Sequence, residues 1–139
     1  MRKNRFIWLI AIVIVMAAIF WFSNQTKSAS LGVSDTIAAT IHMSSTKSLI
    51  FGLSVRKLAH VGLFGLLGFV SMGYFRSWWK AGILCYVYAI TDEIHQYFVP
   101  GRTPSIYDTF VDAIGFGVVI VLYCLISSLR KVNLDSENE

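Results

Sequence analysis

Charge is scarce in this chain of 139 residues, because Asp, Glu, Lys and Arg make up 14% of it, against about 25% in an average soluble domain. Hydrophobic residues make up 55%. This composition excludes an ordinary soluble domain and predicts an integral membrane protein. The clustered basic and aromatic residues typical of nucleic-acid binding are also missing, so we expect no nucleic-acid partner.

Cysteine and proline are equally rare, with two of each. Cys85 and Cys124 lie within apolar runs, where buried packing is a better interpretation than a disulfide or a metal ligand. The alternating ten-residue segments of a membrane β-barrel are absent as well. The length allows one helical bundle, so we predict a single all-α domain over residues 1–131 and a short acidic disordered tail at residues 132–139.

Four apolar segments are long enough to cross a bilayer, which takes about 20 residues in a helix. They cover about residues 6–22, 58–75, 81–99 and 106–129. The first segment has an alternative interpretation, because a basic start, an apolar run and "SAS" at residues 28–30 resemble a secretory signal. Its apolar run is longer than a signal core, so we expect a retained anchor, although the sequence leaves cleavage open.

Basic residues set the expected orientation, since they are enriched in cytoplasmic flanks. With both termini in the cytoplasm, seven basic residues lie inside and five outside, and every inner flank holds at least two. We therefore predict a four-helix bundle in the cytoplasmic membrane. The long outer connection contains "VSDTIAATIHMSS", where Val33, Ile37 and Ile41 recur every four residues, which predicts a short amphipathic helix on the outer surface.

The few charges are concentrated in "TDEIHQYFVPGRTPSIYDTFVDAIG", residues 91–115, which holds four carboxylates among long apolar runs. A charged side chain at the centre of a membrane helix costs about 2.5–3.5 kcal/mol, so these groups should face one another rather than lipid. Helical spacing arranges the polar residues in three stripes: Lys57, His60 and Phe64; Asp92 and Gln96; and Asp108, Asp112 and Gly115.

All three stripes fall at the predicted outer ends of their helices. We therefore predict that His60, Asp92 or Glu93, and Asp112 form one cluster in which Lys57 or Arg102 pairs with an acid. The loop "VPGRTP" is stiffened by two prolines and would hold Arg102 over the helix ends, although anchoring to lipid phosphates is a simpler role. Five glycines are interpreted as packing positions: Gly62, Gly65, Gly68, Gly115 and Gly117.

Three segments, "KLAH", "TDEIHQYFVPGR" and "SIYDTFVDAIGFG", in this order and at these separations, resemble the VanZ-like family of small bacterial membrane proteins. "FWFSNQ" resembles that family's opening F-x-x-S-x-Q, and the likeness covers about residues 20–129. The matching residues are Ser23, Gln25, Lys57, His60, Asp92, Glu93, Gln96, Pro100, Arg102, Asp108 and Gly115. Arg56 stands where the family often has an acid, and Asp112 where it often has asparagine, so the charge balance of the cluster stays open.

The resemblance implies a bacterial cell-envelope protein. The founding member is associated with low-level resistance to teicoplanin, a glycopeptide that acts on cell-wall precursors outside the membrane. The resemblance does not imply a particular reaction.

Our first hypothesis is a site for an anionic lipid or cell-wall precursor headgroup in the outer leaflet. Its ligand-binding residues would be Lys57, Gln96, Arg102, Asp108 and Asp112. Apart from membrane lipids and such a headgroup, the sequence indicates no partner, and it leaves the oligomeric state open.

An alternative is an enzyme that modifies such a phosphate-bearing lipid. His60, Asp92 and Glu93 would then be catalytic through acid–base chemistry, or oxygen ligands would hold a hard divalent metal, although no motif specifies a metal or cofactor. A transporter and a purely structural polar network are further alternatives.

Overall fold

The computed structural model describes the backbone of residues 2–24, 45–100 and 106–136, and the side-chain surroundings of residues 5–24, 57–100 and 107–130. This part of the chain forms four helices: α1 at Arg2–Ser23, α2 at Ser45–Phe75, α3 at Trp78–Tyr97 and α4 at Ile106–Ser136. The predicted all-α architecture with four helices is therefore confirmed.

The helix bounds differ from the predicted spans at several ends, including the starts of α1 at Arg2 and of α3 at Trp78. Helix α2 begins at Ser45 rather than near residue 58. Helix α3 ends at Tyr97 rather than 99, because Pro100 disfavours helical backbone at the preceding residue. Helix α4 continues to Ser136, so residues 132–136, expected to belong to a disordered tail, are helical. The predicted surface helix within residues 33–44 lies outside the described residues.

Consecutive helices run in opposite directions. Near the start of α1, the Trp8 ring packs edge-on against Phe69 of α2, with 5.9 Å between ring centroids. At the other end of α1, the buried Ser23 contacts Gln96, near the end of α3. The two-residue link between α2 and α3 includes Arg76, whose positive φ of 52° lets the chain reverse sharply. The bundle therefore has an up-down-up-down topology, and one of its ends holds Ser23 and Gln96.

Helices α2 and α3 form the centre of the bundle. The most extensive packing is between α2 and α4, while the described parts of α1 and α4 lie on opposite sides of the α2–α3 pair without contact. Buried side chains come from all four helices, and Ile19, Phe64, Leu67 and Cys85 are inaccessible. This arrangement leaves one face of each helix turned outward.

Three described helices are long and apolar enough to cross a membrane, in the segments Arg5–Ser23, Lys57–Phe75 and Tyr107–Arg130. Their outward faces carry large aliphatic side chains such as Ile14, Val118 and Leu125, each more than half exposed, an arrangement suited to lipid contact. Helix α3, predicted as a fourth span, is not among these three. Its 20 residues carry Lys80, Asp92 and Glu93, which lower its apolar character.

Helices α2 and α4 approach closely at glycines. A methyl group added at Gly115 would lie 2.5 Å from the carbonyl oxygen of Val61, and one at Gly68 would lie 3.1 Å from that of Phe116. These contacts require the absence of a side chain, as expected of small residues between membrane helices. At Gly62 and Gly117 an added methyl group would meet no atom within 4 Å, so the packing role predicted for these two glycines was wrong.

Candidate functional site

Three buried ionisable residues meet at the end of the bundle that holds Ser23 and Gln96. His60 of α2, Asp92 of α3 and Asp112 of α4 are 7%, 3% and 3% exposed. His60 Nδ1 lies 3.9 Å from Asp92 Oδ2 and 3.8 Å from Asp112 Oδ1. We call this group the polar triangle. It confirms the prediction that His60, one of the two adjacent acids of α3, and Asp112 form a cluster.

Regular helical periodicity places these three side chains on the buried faces of their helices. On α3, Asp92 continues the buried stripe of Ala81, Cys85 and Ala89, and Gln96 follows one turn later. On α2, Phe64 lies one turn below His60 and is fully buried. The same faces that pack the apolar core therefore carry the polar triangle at their ends, away from lipid.

Gln96 supports the triangle from the side of α1. Its Nε2 donates a hydrogen bond of 2.7 Å to Asp92 Oδ2 and lies 3.5 Å from Ser23 Oγ. Asp92 Oδ1 is buried and has no hydrogen-bond partner within the described residues. One oxygen of this carboxylate is therefore held by an amide, while the other is left without a donor from the described chain.

Aromatic rings surround the imidazole of His60. The ring of Phe22 lies edge-on with 6.2 Å between centroids, and that of Phe64 is nearly parallel at 6.3 Å. Apolar walls lower the local dielectric and strengthen electrostatic interactions among the three charged groups. The triangle is thus a buried cluster of ionisable groups rather than an exposed surface patch.

A second charged pair lies nearer the helix ends. Lys57 Nζ lies 3.1 Å from Asp108 Oδ1, with the two side chains 59% and 34% exposed. This contact confirms the prediction that Lys57 or Arg102 pairs with an acid. Asp108 lies in the first turn of α4, where a negative charge also favours the helix dipole. Because both side chains are accessible, the pair can exchange partners with an incoming charged group.

The other predicted site residues fall elsewhere. Glu93 lies about 100° around α3 from Asp92. It is half-buried and lines a pocket of about 220 Å³ with Thr109 and Phe110 of α4. Arg102 lies outside the described residues, so its predicted position over the helix ends stays a prediction. His95, which is not a member of the triangle, stacks on Phe20 of α1 with 4.2 Å between ring centroids.

Ser23 was matched to a family motif but was not predicted as a site residue. It is fully buried and touches Gln96, so it belongs to the support of the triangle. The signal was present in the sequence, because Ser23 continues the stripe of Ile12, Val15 and Ile19 at helical spacing. A polar residue at the end of a buried stripe marks a polar contact between helices.

The triangle can support two kinds of chemistry. One potential ligand atom each from His60, Asp92 and Asp112 lies within 4.8 Å of the others, close enough for all three to hold one metal ion. A histidine between two carboxylates is also a common arrangement for proton transfer. Metal binding and proton transfer both need ionisable side chains that are held close together, as they are in the triangle.

Comparisons with known proteins agree with the sequence motifs. No curated protein and no solved structure gives a significant match to the chain. The model of the VanZ/LLP1 family matches residues 8–127, which include α2, α3, most of α1 and α4, and every member of the polar triangle. The chain therefore belongs to the VanZ/LLP1 family.

Proposed function

We propose that this protein binds the headgroup of a phosphate-bearing lipid or cell-wall precursor at the outer face of the bacterial cytoplasmic membrane. Membership of the VanZ/LLP1 family loosely links it to teicoplanin resistance, which concerns the cell envelope. The observation that carries the proposal is the gathering of charged side chains from three helices at one end of an apolar bundle.

A purely structural network explains this gathering poorly. A charge at the centre of a membrane helix costs about 2.5–3.5 kcal/mol, and less near the interface, whereas a hydrogen bond between membrane helices contributes about 0.6 kcal/mol. The triangle places three ionisable groups within the bundle, and the Lys57–Asp108 pair adds two more at its rim. Costly polar groups inside membrane proteins are usually functional, which favours a ligand site.

The rim of the site suits an anion. Lys57 offers an accessible ammonium group, and its bond to Asp108 can be replaced by one to phosphate. The N-terminus of α4, at Ile106, brings the positive end of a helix dipole to the same end of the bundle. Arg102, in the loop before α4, would add a guanidinium fork that matches two phosphate oxygens.

The proposal includes a topology. Both termini are cytoplasmic, the triangle faces the outer leaflet, and α3 crosses the membrane with the other three helices. Helix α3 is 20 residues long, or about 30 Å, which matches the hydrocarbon thickness. Two of its polar residues, Asp92 and Gln96, are buried in the bundle, so they are shielded from lipid.

Catalysis on the bound headgroup is the second candidate function. The observation that favours it is the position of His60 between two carboxylates, since an imidazole held in this way can accept or donate a proton near neutral pH. Glu93 would serve as a further base from the neighbouring pocket.

The proposed headgroup site is tested by Arg102→Lys, with Arg76→Lys as the matched control at the opposite end of the bundle. Lysine keeps the charge but loses the planar fork. We expect about a tenfold loss of affinity for Arg102→Lys, which corresponds to one charge-assisted hydrogen bond, and no loss for Arg76→Lys. Binding of phosphatidylglycerol and of a polyprenyl diphosphate to the purified protein is measured by native mass spectrometry.

Phosphatidylglycerol represents a general anionic lipid, and the polyprenyl diphosphate represents a cell-wall precursor carrier. Comparing the binding of the two therefore distinguishes these classes of ligand. Melting temperatures in detergent accompany each binding measurement, and Glu93→Gln is measured in parallel, because loss of its charge should weaken binding or turnover without unfolding. If Arg102→Lys binds both lipids as tightly as the unaltered protein, the headgroup site is wrong. If each weakened variant also melts early, the charged residues are structural.

A further inference from the structure

We propose that His60, Asp92 and Asp112 bind one divalent transition-metal ion of the Zn²⁺ or Mn²⁺ class. The inference deepens the proposed function, because a metal ion at this place would offer an open coordination position to an oxygen of an anionic headgroup. Metal binding itself requires only the three side chains of the polar triangle, so it can be tested without lipid.

The spacing of the triangle fits a metal ion better than a set of direct hydrogen bonds. The separations of 3.8 and 3.9 Å between His60 Nδ1 and the two carboxylates are too long for hydrogen bonds. Zinc binds histidine nitrogen and carboxylate oxygen at about 2.0–2.2 Å, which places two ligands of a tetrahedral ion about 3.3–3.6 Å apart. A contraction of a few tenths of an ångström would bring His60 and either acid to this geometry.

Asp92 provides an independent observation. Its side chain is 1% exposed, and its Oδ1 has no hydrogen-bond partner within the described residues, while Oδ2 of the same carboxylate faces His60. Leaving a buried carboxylate oxygen without a partner costs more than about 1–3 kcal/mol. A cation bound by both oxygens of this carboxylate would satisfy Oδ1.

Charge balance also favours a divalent cation. Once a metal ion displaces their protons, two carboxylates and a neutral imidazole carry a charge of −2, which a divalent ion neutralises. A protonated His60 would neutralise only one of the two acids, and Lys57 is paired with Asp108. Buried charges persist in proteins when they are paired or bind metals, so a bound divalent ion would let both carboxylates stay ionised inside the bundle.

The surrounding residues have the arrangement of a metal site. Gln96 donates to Asp92 Oδ2 and contacts Ser23, which fixes the orientation of a ligating carboxylate as outer-shell partners do. Mixed imidazole and carboxylate ligands suit Zn²⁺ and Mn²⁺. Three protein ligands leave a coordination position open, and an oxygen of a phosphate headgroup is a suitable fourth ligand.

The test measures metal binding to the full-length protein purified in detergent and freed of metal with a chelator. Zn²⁺ and Mn²⁺ are titrated by calorimetry, bound metal is counted by mass spectrometry, and Co²⁺ reports ligand geometry through its visible spectrum. The variants are His60→Gln and Asp112→Asn, with His95→Gln as the control, because His95 is a partly buried histidine at the same end of the bundle outside the triangle.

We expect one ion per chain for the unaltered protein and for His95→Gln, with a melting temperature that rises on metal addition. His60→Gln and Asp112→Asn should lose at least about 100-fold in affinity, because removal of a ligand exceeds the 10- to 100-fold effect of an outer-shell partner. If either variant does not fold, the other is used. If neither folds, the stoichiometry and Co²⁺ spectrum of the unaltered protein decide.

Absence of a stoichiometric ion in the unaltered protein, or equal affinity in folded His60→Gln, would overturn the metal site. The lipid-binding assay is then repeated on chelated protein. Lipid binding to protein that binds no metal would leave the headgroup site standing, whereas stoichiometric metal binding without lipid binding would leave the metal site standing and reject the headgroup site.

Discussion

At the scale of single residues, burial changes what a polar side chain does. Asp92 and Glu93 are adjacent acids, yet Asp92 lies within the bundle against His60 and Gln96, while Glu93 lies half-buried on the neighbouring face. The partly buried Tyr88 has a structural role of this kind. Its hydroxyl donates a 2.6 Å hydrogen bond to the carbonyl oxygen of Met16 and so joins α3 to α1.

The Tyr88 hydrogen bond gives a stability prediction with a control on the same helix. Tyr88→Phe should lower the free energy of unfolding by about 0.5–1 kcal/mol. The loss stays at this small size because the Met16 carbonyl can keep its helical hydrogen bond. Tyr86→Phe, at an exposed tyrosine, should change little. Unfolding in detergent measures both, and equal effects would mean that the Tyr88 bond does not stabilise the bundle.

At the scale of helices, the pairing of α2 with α4 sets the distance between two members of the polar triangle. Gly115 packs against the backbone of Val61, and these two residues are close in sequence to Asp112 and His60. Small residues at this crossing therefore do more than pack, because they bring the site residues of the two helices within reach of each other.

A methyl group at the crossing should disturb stability and the site together. Gly115→Ala places Cβ 2.5 Å from the Val61 carbonyl oxygen, so the helices must separate, at a cost of about 1–3 kcal/mol. Gly117→Ala meets no atom within 4 Å and should change stability by at most about 1 kcal/mol, in the stabilising direction. Thermal unfolding compares the two variants. A crossing that tolerates both alanines equally would contradict the close approach.

At the scale of the whole molecule, the charged end of the bundle has a functional meaning only once its side of the membrane is known. The alternating helices place the triangle at the end opposite the link formed by Arg76 and Ser77. The proposed topology puts the triangle outside and this link in the cytoplasm.

Cysteine labelling in intact cells tests this topology. In a chain in which Cys85 and Cys124 are replaced by alanine, Thr103→Cys should react with a membrane-impermeant reagent and Trp78→Cys should not. Trp78 is 66% exposed beside the link, so packing within the protein would not block the reaction there. Permeabilised cells should label both positions. Labelling of residue 78 alone in intact cells would invert the topology.

Much of the fold and the triangle could be predicted from the sequence. Long apolar runs predict helices in lipid, because every backbone polar group there needs a partner within its own segment. The cost of charge in lipid, combined with helical periodicity, then predicts that His60, an acid of α3 and Asp112 face one another. The motifs around them also predicted membership of the VanZ/LLP1 family, which the family match confirms.

The tertiary structure decided which acid of α3 enters the triangle and which glycines pack. Asp92 faces His60 because α3 turns Ala81, Cys85 and Ala89 toward the core. These small side chains suit lipid or protein almost equally, so the sequence carries little information about the rotation of α3. That rotation depends on the sum of contacts with neighbouring helices, as does the close approach at Gly115 but not at Gly117.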